Sequence, residues 1–312
     1  MRIALHADGG ARAGLGHLGR CVALAQAFAA QGQAPIFVDA PLECRAWLEE
    51  RGFKAAALGA KSYDILMADS YRLTPGYLRR LRKQARRLLL LDDHGSSAAP
   101  CDFVLNGNLY ARALTYAAPA GAGLLLGPKF APMRRDYWSA PKPRRTGPRL
   151  RRLLITTGGS ASNGLTERLV SAAQAALPGL EITAVVGPFE PAPAARPGVR
   201  YARSPKSLRP LLEACDAVLL AGGQTVYEAA FTEAPMLVLR RGADQDENVS
   251  SLVARGAALA VGRASGRFED SFTRALKGLS HARRAALSAR CAGLVDGRGA
   301  LRVAALLAGR AS

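Results

Sequence analysis

The chain is poor in acidic and aromatic residues. It has 24 Asp and Glu against 43 Lys and Arg, so its net charge is +19, and aromatic residues make up 6%. A basic surface is typical of proteins that meet nucleic acid, an anionic membrane or an anionic substrate. No aromatic residues are interleaved with the basic clusters, and no nucleic-acid-binding motif is present. We therefore expect no nucleic-acid partner, and weak contact with an anionic membrane surface as one use of the charge.

Paired cysteines and long apolar runs are also missing. The five cysteines are an odd number without a CxxC pair. Each lies in or beside an apolar segment, which indicates buried thiols in a reducing cytoplasm. The N-terminus lacks a basic segment followed by a long apolar one, and no apolar run approaches the roughly 18 residues that span a bilayer. These absences favour a cytoplasmic protein, which we expect to be a monomer.

Several catalytic signatures are absent. The sequence has no HExxH motif, no metal-binding Cys/His spacing, no GxSxG elbow and no GxxxxGK[ST] loop. Asp92, Asp93 and His94 are adjacent at one strand end and cannot all converge on one ion, so we interpret them as cleft lining or as a cap. We expect neither a metal nor a cofactor.

Two α/β arrays follow one another along the 312 residues. Apolar runs that alternate with helical patterns are typical of a parallel sheet covered on both faces. The segment Ala140–Pro148 is rich in proline and charge and predicts a linker. We therefore expect two Rossmann-like domains at residues 1–140 and 151–312, a linker at 141–150, a ligand cleft between the domains, and a last helix that packs back on the first domain.

The strands are predicted from the apolar runs and the helices from their start signals. Predicted strands are Ile3–Ala7, Ile36–Val38, Ile65–Ala68, Leu88–Leu91, Phe103–Leu105, Leu153–Thr156, Ile182–Val186, Ala217–Leu220, Met236–Leu239 and Ala258–Val261. Helices are predicted to start after the cap Thr74-Pro75 and near Ser162, Ser207, Thr225, Asp246 and Glu269.

A first glycine-rich loop, Asp8–Arg20, follows the first strand and opens the first helix. It fits the dinucleotide pattern GxGxxG poorly. His17 lies on the first turn of that helix. Its neighbours Asp8 and Arg20 favour a functional histidine over one that only packs. Because imidazole titrates near neutrality, His17 can take a proton from water or a hydroxyl, with Asp8 orienting it.

Two further glycine-rich loops follow strands in the second half. Gly158-Gly159-Ser160 precedes a helix and suits a phosphate. Gly222-Gly223 precedes Thr225 and Glu228, where Glu228 is either a capping-box partner of Thr225 or an acceptor for ribose hydroxyls. Gln245 and Asn248 lie at another strand-to-helix turn, with amides available for a sugar.

The combination of HADGG…GLGHLGRC, LDDH, DFVLNGN, LLGPKFAPMR, AGGQTVYEAA, QDEN and DGRGALRV resembles one known family. It is similar to the UDP-2,4-diacetamido-2,4,6-trideoxy-β-L-altropyranose hydrolases of the bacterial pseudaminic acid pathway, which are related to the lipid II-forming N-acetylglucosaminyltransferase. The resemblance covers nearly the whole chain and implies a GT-B type architecture. The chain departs from the family at His6, where Arg is expected, and at Gly19, where Met is expected.

The resemblance also implies roles for individual residues. It implies catalytic roles for His17, Asp8, Tyr71 and Asn248. It implies that the substrate is bound by Gly14, Gly16, Arg20, Gly158, Gly159, Ser160, Gly222, Gly223, Thr225, Glu228 and Gln245.

The function that the resemblance implies is hydrolysis of a UDP-linked sugar at its C1–O bond, with inversion and without metal. Two alternatives stay open. One is a glycosyltransferase that uses the same donor and an acceptor hydroxyl in place of water. The other is a non-catalytic protein that binds a nucleotide sugar.

Overall fold

The structure, a computed structural model, describes residues 1–309 and divides the chain into two units. The first unit combines Met1–Trp138 with the C-terminal segment that begins at Asp296. The second unit is Ser139–Val295. Within the described residues, no helix is long and apolar enough to cross a membrane.

The first unit is built on a seven-stranded sheet in the order β3-β2-β1-β4-β5-β6-β7. All its neighbouring strands are parallel. Its strands are β1 (Ile3–Ala7), β2 (Ile36–Val38), β3 (Ala55–Ala56), β4 (Tyr63–Asp69), β5 (Ala85–Leu91), β6 (Phe103–Asn106) and β7 (Gly123–Leu126). Its helices before Trp138 are α1 (Gly16–Ala29), α2 (Arg45–Glu49) and α3 (Pro75–Gln84).

The second unit has a six-stranded, wholly parallel sheet in the order β10-β9-β8-β11-β12-β13. Its strands are β8 (Arg152–Thr156), β9 (Glu181–Val186), β10 (Val199–Arg203), β11 (Ala217–Ala221), β12 (Met236–Arg240) and β13 (Ala258–Arg263). Its helices are α4 (Leu165–Ala176), α5 (Arg209–Ala214), α6 (Thr225–Phe231), α7 (Asp246–Ala254), α8 (Glu269–Lys277) and α9 (His281–Cys291).

The predicted α/β fold with two parallel sheets is confirmed. The central strands are buried along almost their whole length, which is typical of parallel sheets that are covered on both faces. All five cysteines are buried free thiols, as predicted. Three strands were not predicted, namely β3, β7 and β10. The cap at Thr74 is confirmed, because its hydroxyl accepts a hydrogen bond from the Tyr77 amide and Pro75 is the first helical residue.

Arginine side chains fasten the proline-rich segment 139–148 to the second unit. Arg144 donates to the carbonyls of Thr232 and Cys215 at 2.8 Å each, and also to that of Leu212. The buried Arg284 donates to the Gly147 carbonyl at 2.9 Å. This stretch, in which we predicted a linker, is therefore held along the second unit by hydrogen bonds to backbone carbonyls.

The last helix, α10 (Gly299–Leu307), packs within the first unit against α1 and the turn at 128–130. Arg302 donates to the Lys129 carbonyl at 2.8 Å, and Arg87 donates to the Leu307 carbonyl. The close approach depends on Gly299. A Cβ there would lie 2.2 Å from the Ala131 carbonyl oxygen and 2.5 Å from the Phe130 carbonyl carbon.

We predict that Gly299→Ala destabilises the first unit by about 1–3 kcal/mol, because a backbone clash cannot be relieved by rotating a side chain. Gly76→Ala is the matched control, since a Cβ at this position in α3 meets nothing within 4 Å. Thermal unfolding followed by circular dichroism measures both. A melting temperature equal to that of the wild type for Gly299→Ala would contradict the close packing of α10.

Candidate functional site

The carboxyl ends of β1 and β4 meet where the strand order of the first sheet changes direction. Ala7 is in register with Asp69, and the Asp8 amide donates to the Asp69 carbonyl at 3.1 Å. Ligands of doubly wound sheets bind at such switch points. The predicted glycine-rich loop starts here. It folds back on itself through paired backbone hydrogen bonds between Gly10 and Gly14, both of which have positive φ angles.

His17 stands on the first turn of α1 and contacts a buried carboxylate. Its Nδ1 lies 2.6 Å from Oδ1 of Asp69, which is fully buried. Burial would raise the pKa of Asp69, but the charges of Arg20 and His17 outweigh it and lower the pKa to about 2. Asp69 is therefore an anion that can only accept, so Nδ1 of His17 carries the proton and Nε2 has the free lone pair. Such a dyad can remove a proton from a hydroxyl or from water.

Asp69 takes the orienting role that we predicted for Asp8. The Asp8 carboxylate instead accepts from the Ser70 hydroxyl at 2.5 Å and from the Arg72 guanidinium at 2.9 Å. Burial would raise the pKa of Asp8, but these hydrogen bonds lower it. The prediction that Asp8 orients His17 is thus wrong, because the His17 ring contacts the carboxylate of Asp69 at the end of β4 instead. The catalytic role predicted for Asp8 has no contact with His17 to support it.

Arg20 lies between two carboxylates and is almost fully buried. Its Nε and Nη2 donate to Asp69 at 2.9 and 2.8 Å, and its Nη1 donates to Asp93 at 2.7 Å. Although burial lowers the pKa of an arginine, the two negative charges raise that of Arg20. Its guanidinium thus makes four hydrogen bonds to the two carboxylates. This arrangement favours a positioning role for Arg20 over the predicted contact with a substrate.

Tyr71 covers one side of the His17 ring. The two ring centroids are 4.6 Å apart and perpendicular, and the Tyr71 hydroxyl donates to Asp93 at 2.7 Å. Asp93 also accepts from the Asn108 amide at 2.7 Å. Burial and the Asp93 carboxylate raise the pKa of Tyr71, so its hydroxyl stays protonated. The structure thus brings the predicted Tyr71 to His17 and adds Asp93, which we had interpreted only as cleft lining or a cap.

Asp92, by contrast, is a cap, as one of our two interpretations held. Its carboxylate accepts hydrogen bonds from the backbone amides of His94, Gly95 and Ser97.

His6 forms a separate contact on β1, where its Nδ1 lies 3.2 Å from the Tyr77 hydroxyl, which donates to Asp39 at 2.6 Å. Residues 1–309 contain no group of three or more His, Cys, Asp or Glu side chains that could hold a metal ion.

In the second unit the switch point lies between β8 and β11. The loops after these strands and after β12 contain Gly158, Gly159, Ser160, Gly222, Gly223 and Gln245. Gln245 joins two of the loops, because its Oε1 accepts from the amides of Gly222 and Arg241 at 3.0 Å each. The parallel topology therefore brings together residues that we predicted to bind the substrate.

Asn248 and Tyr227 support the loop after β11 from within. The Asn248 amide donates to the Gly222 carbonyl at 2.9 Å and accepts from the Tyr227 hydroxyl at 2.5 Å. Asn248 is 5% exposed, so these contacts favour a supporting role over the predicted catalytic one. Thr225 and Glu228 do not form a capping box at the start of α6. The cap residue is Gln224, whose side chain makes no capping hydrogen bond, and Thr225 is already helical.

Arg241, which no sequence pattern indicated, connects the end of β12 with the loop after β8. Its Nη1 donates to the Thr157 carbonyl at 2.8 Å and to the Ser160 hydroxyl at 2.6 Å. Its Nη2 donates to the Ala161 carbonyl at 2.8 Å. The Arg241 side chain therefore holds the glycine loop after β8 in place through three hydrogen bonds. The only available signal was its position directly after a buried strand.

Removing the charge of Asp69 tests the buried cluster. We predict that Asp69→Asn lowers the free energy of unfolding at pH 7 by about 3–5 kcal/mol, because it leaves the Arg20 charge partly unpaired. The folded pKa of Asp69 is depressed, so its contribution is present above the unfolded value and is lost as the pH falls through about 2.

The difference between wild type and Asp69→Asn should therefore shrink below about pH 4 in denaturant unfolding. Glu49→Gln is the control, since Glu49 is exposed and its variant should change stability by less than about 0.5 kcal/mol. A stability difference that is independent of pH between 7 and 2 would contradict the ionised, buried Asp69.

No protein-family model matches the chain. The chain is 24% identical to the spore coat polysaccharide biosynthesis protein SpsG of Bacillus subtilis (strain 168), over 98% of both sequences. Among solved structures it is similar to the glycotransferase of kitacinnamycin, with a TM-score of 0.67, 16% identity and 99% and 98% of the two chains covered.

It is also similar to MurG of Acinetobacter baumannii, with a TM-score of 0.65, 14% identity, and 99% of this chain and 100% of that chain covered. At these identities the likeness establishes the fold and leaves the activity open. The chain has the GT-B fold of these proteins, as the sequence resemblance implied.

Proposed function

We propose that the chain is an enzyme that cleaves the bond between sugar C1 and the diphosphate of a nucleotide sugar, with His17 as the general base. The observation that carries this proposal is the His17–Asp69 pair at 2.6 Å, at the switch point of the first sheet. Asp69 is ionised and buried, so it fixes the ring and stabilises the imidazolium that forms when Nε2 takes a proton.

The donor is a nucleoside diphosphate sugar bound by the second unit. Three loops meet there, and the glycines at 158, 159 and 223 let a ligand approach the backbone closely, whereas Gly222 is buried against Val249 and Gln245. Glu228 is the proposed ribose partner. The relative SpsG is named for polysaccharide biosynthesis, and the structurally similar glycotransferase of kitacinnamycin is named for glycosyl transfer. Both names support a sugar-processing role. The sequence blocks around Gly222 and Glu228 favour UDP as the nucleotide.

The reaction is a single displacement. An acceptor oxygen forms a bond to C1 while the C1–O bond to the diphosphate breaks, and the electron pair of that bond leaves with UDP. The acceptor's proton passes to Nε2 of His17. Because the displacement involves no covalent enzyme intermediate, it inverts the configuration at C1.

The comparisons favour a hydroxyl-bearing acceptor, and glycosyl transfer is therefore our first candidate. Hydrolysis is the second candidate, with water as the acceptor and the same base. The observation that favours it is the resemblance of seven sequence blocks, in order, to the UDP-altropyranose hydrolases. Both candidates require the same donor site and the same proton transfer, so they differ only in what occupies the acceptor position.

We predict that His17→Ala lowers kcat by about 10²–10⁴-fold and leaves UDP affinity unchanged, because the base is lost while the nucleotide loops are intact. His281→Ala is the control, an exposed histidine of the second unit. The assay incubates a panel of UDP-sugars, including the diacetamido-altropyranose, with and without hydroxyl acceptors. UDP and sugar products are followed by proton NMR at early times, before mutarotation mixes the anomers.

UDP release that requires an added acceptor identifies the transferase, and release of free sugar in its absence identifies the hydrolase. Retention of configuration would contradict the single displacement. Wild-type turnover by His17→Ala would contradict the assignment of the base. A protein that binds UDP-sugars but turns none over, with or without acceptor, would instead be a non-catalytic binder.

A further inference from the structure

Arg241 retains unused hydrogen-bonding capacity beside the glycine loop. A guanidinium has five N–H groups, and Arg241 directs two from Nη1 and one from Nη2 at Thr157, Ser160 and Ala161. Within residues 1–309, its Nε–H and second Nη2–H donate to no other group. Two N–H groups on neighbouring nitrogens form the fork that binds phosphate oxygens in a bidentate manner.

The backbone beside this fork has unused donors as well. In the part of the chain that the structure describes, the amides of Gly158, Gly159 and Ser160 donate to no protein acceptor. Gly158 is exposed and has a φ of +95°, a conformation that favours glycine. No side chain at this position therefore shields the backbone amides of the loop. Clustered free amides of this kind form anion-binding concavities.

The charge of Arg241 is not cancelled by a direct ion pair. Its three acceptors are two carbonyls and a hydroxyl, and no carboxylate of the described residues lies within 4 Å of its nitrogens. Glu190 and Asp244 act on it only from farther away. The neighbouring Arg240 differs, because its Nε lies 3.3 Å from the Asp246 carboxylate. Arg241 is thus a half-buried cation that still lacks a contacting anion.

We propose that Arg241 binds the diphosphate of the nucleotide sugar, together with the amides of Gly158–Ser160. This inference rests on the proposed function and adds a residue that neither the sequence motifs nor the resemblance assigned. Negative charge grows on the diphosphate as the C1–O bond breaks. A fixed cation at that position stabilises the departing UDP more than the bound substrate, and Arg241 therefore contributes to the rate as well as to binding.

Titration calorimetry with uridine, UMP, UDP and inorganic pyrophosphate tests the proposal on the full chain. We expect Arg241→Gln to weaken UDP binding roughly tenfold to hundredfold and to leave uridine binding unchanged, since a charge-assisted contact is lost only for the phosphates. Arg241→Lys, which keeps the charge but loses the fork, should bind UDP more weakly than the wild type and more tightly than Arg241→Gln. Arg240→Gln, which removes the same charge one residue away, should bind UDP like the wild type.

Two results would overturn the role of Arg241. Equal weakening of uridine and UDP would show that Arg241 only braces the loop, and equal effects of Arg240→Gln and Arg241→Gln would show a long-range charge effect. If Arg241→Gln does not fold, Arg241→Lys gives the answer. Weaker UDP binding with unchanged uridine binding by this variant supports the role of Arg241, and equal weakening of both overturns it. A wild type that binds pyrophosphate through Arg241 but no uridine nucleotide would overturn the proposed function and retain the anion site. Binding of neither would overturn both.

Discussion

The first site depends on one buried cation held between two carboxylates. Arg20 joins Asp69 at the end of β4 to Asp93, just after β5, and all three side chains are nearly inaccessible to solvent. An unpaired charge at such a place costs several kcal/mol, so the cluster tolerates few alternative arrangements. His17 precedes Arg20 by three residues on α1, and residues three apart share a helix face. Placing Arg20 therefore also places the His17 ring against Asp69.

The two units use arginine in opposite ways. Each parallel sheet gathers loops at the point where its strand order changes direction, and in each an arginine ties these loops together. Arg20 has its charge balanced by Asp69 and Asp93 and holds His17, the proposed base, in place. Arg241 holds its loop through neutral oxygens and keeps its charge for a ligand. This contrast reverses the sequence expectation, in which Arg20 binds the substrate and Arg241 has no role.

Much of the fold could be read from local pattern, because buried parallel strands are continuous apolar runs. The strands Ile3–Ala7 and Ile36–Val38 match the prediction residue for residue. The missed β10 alternates polar and apolar residues, and β3 has two residues, so neither presents an apolar run. Asp69 lies 49 residues from Arg20, and only the register of β1 with β4 brings them together. Asp8 was chosen as the partner of His17 because it is near in sequence, and sequence distance says little about proximity across a parallel sheet.

The tautomer of His17 is the most direct test that the buried carboxylate prepares a base. Nitrogen-15 NMR of protein labelled in its four histidine rings, with His17 assigned through its Gln variant, distinguishes the two ring nitrogens. In its neutral form, His17 should carry its proton on Nδ1 and leave Nε2 free, and Asp69→Asn should abolish this preference. A neutral His17 with its proton on Nε2 in the wild type would contradict the assignment of Nε2 as the base.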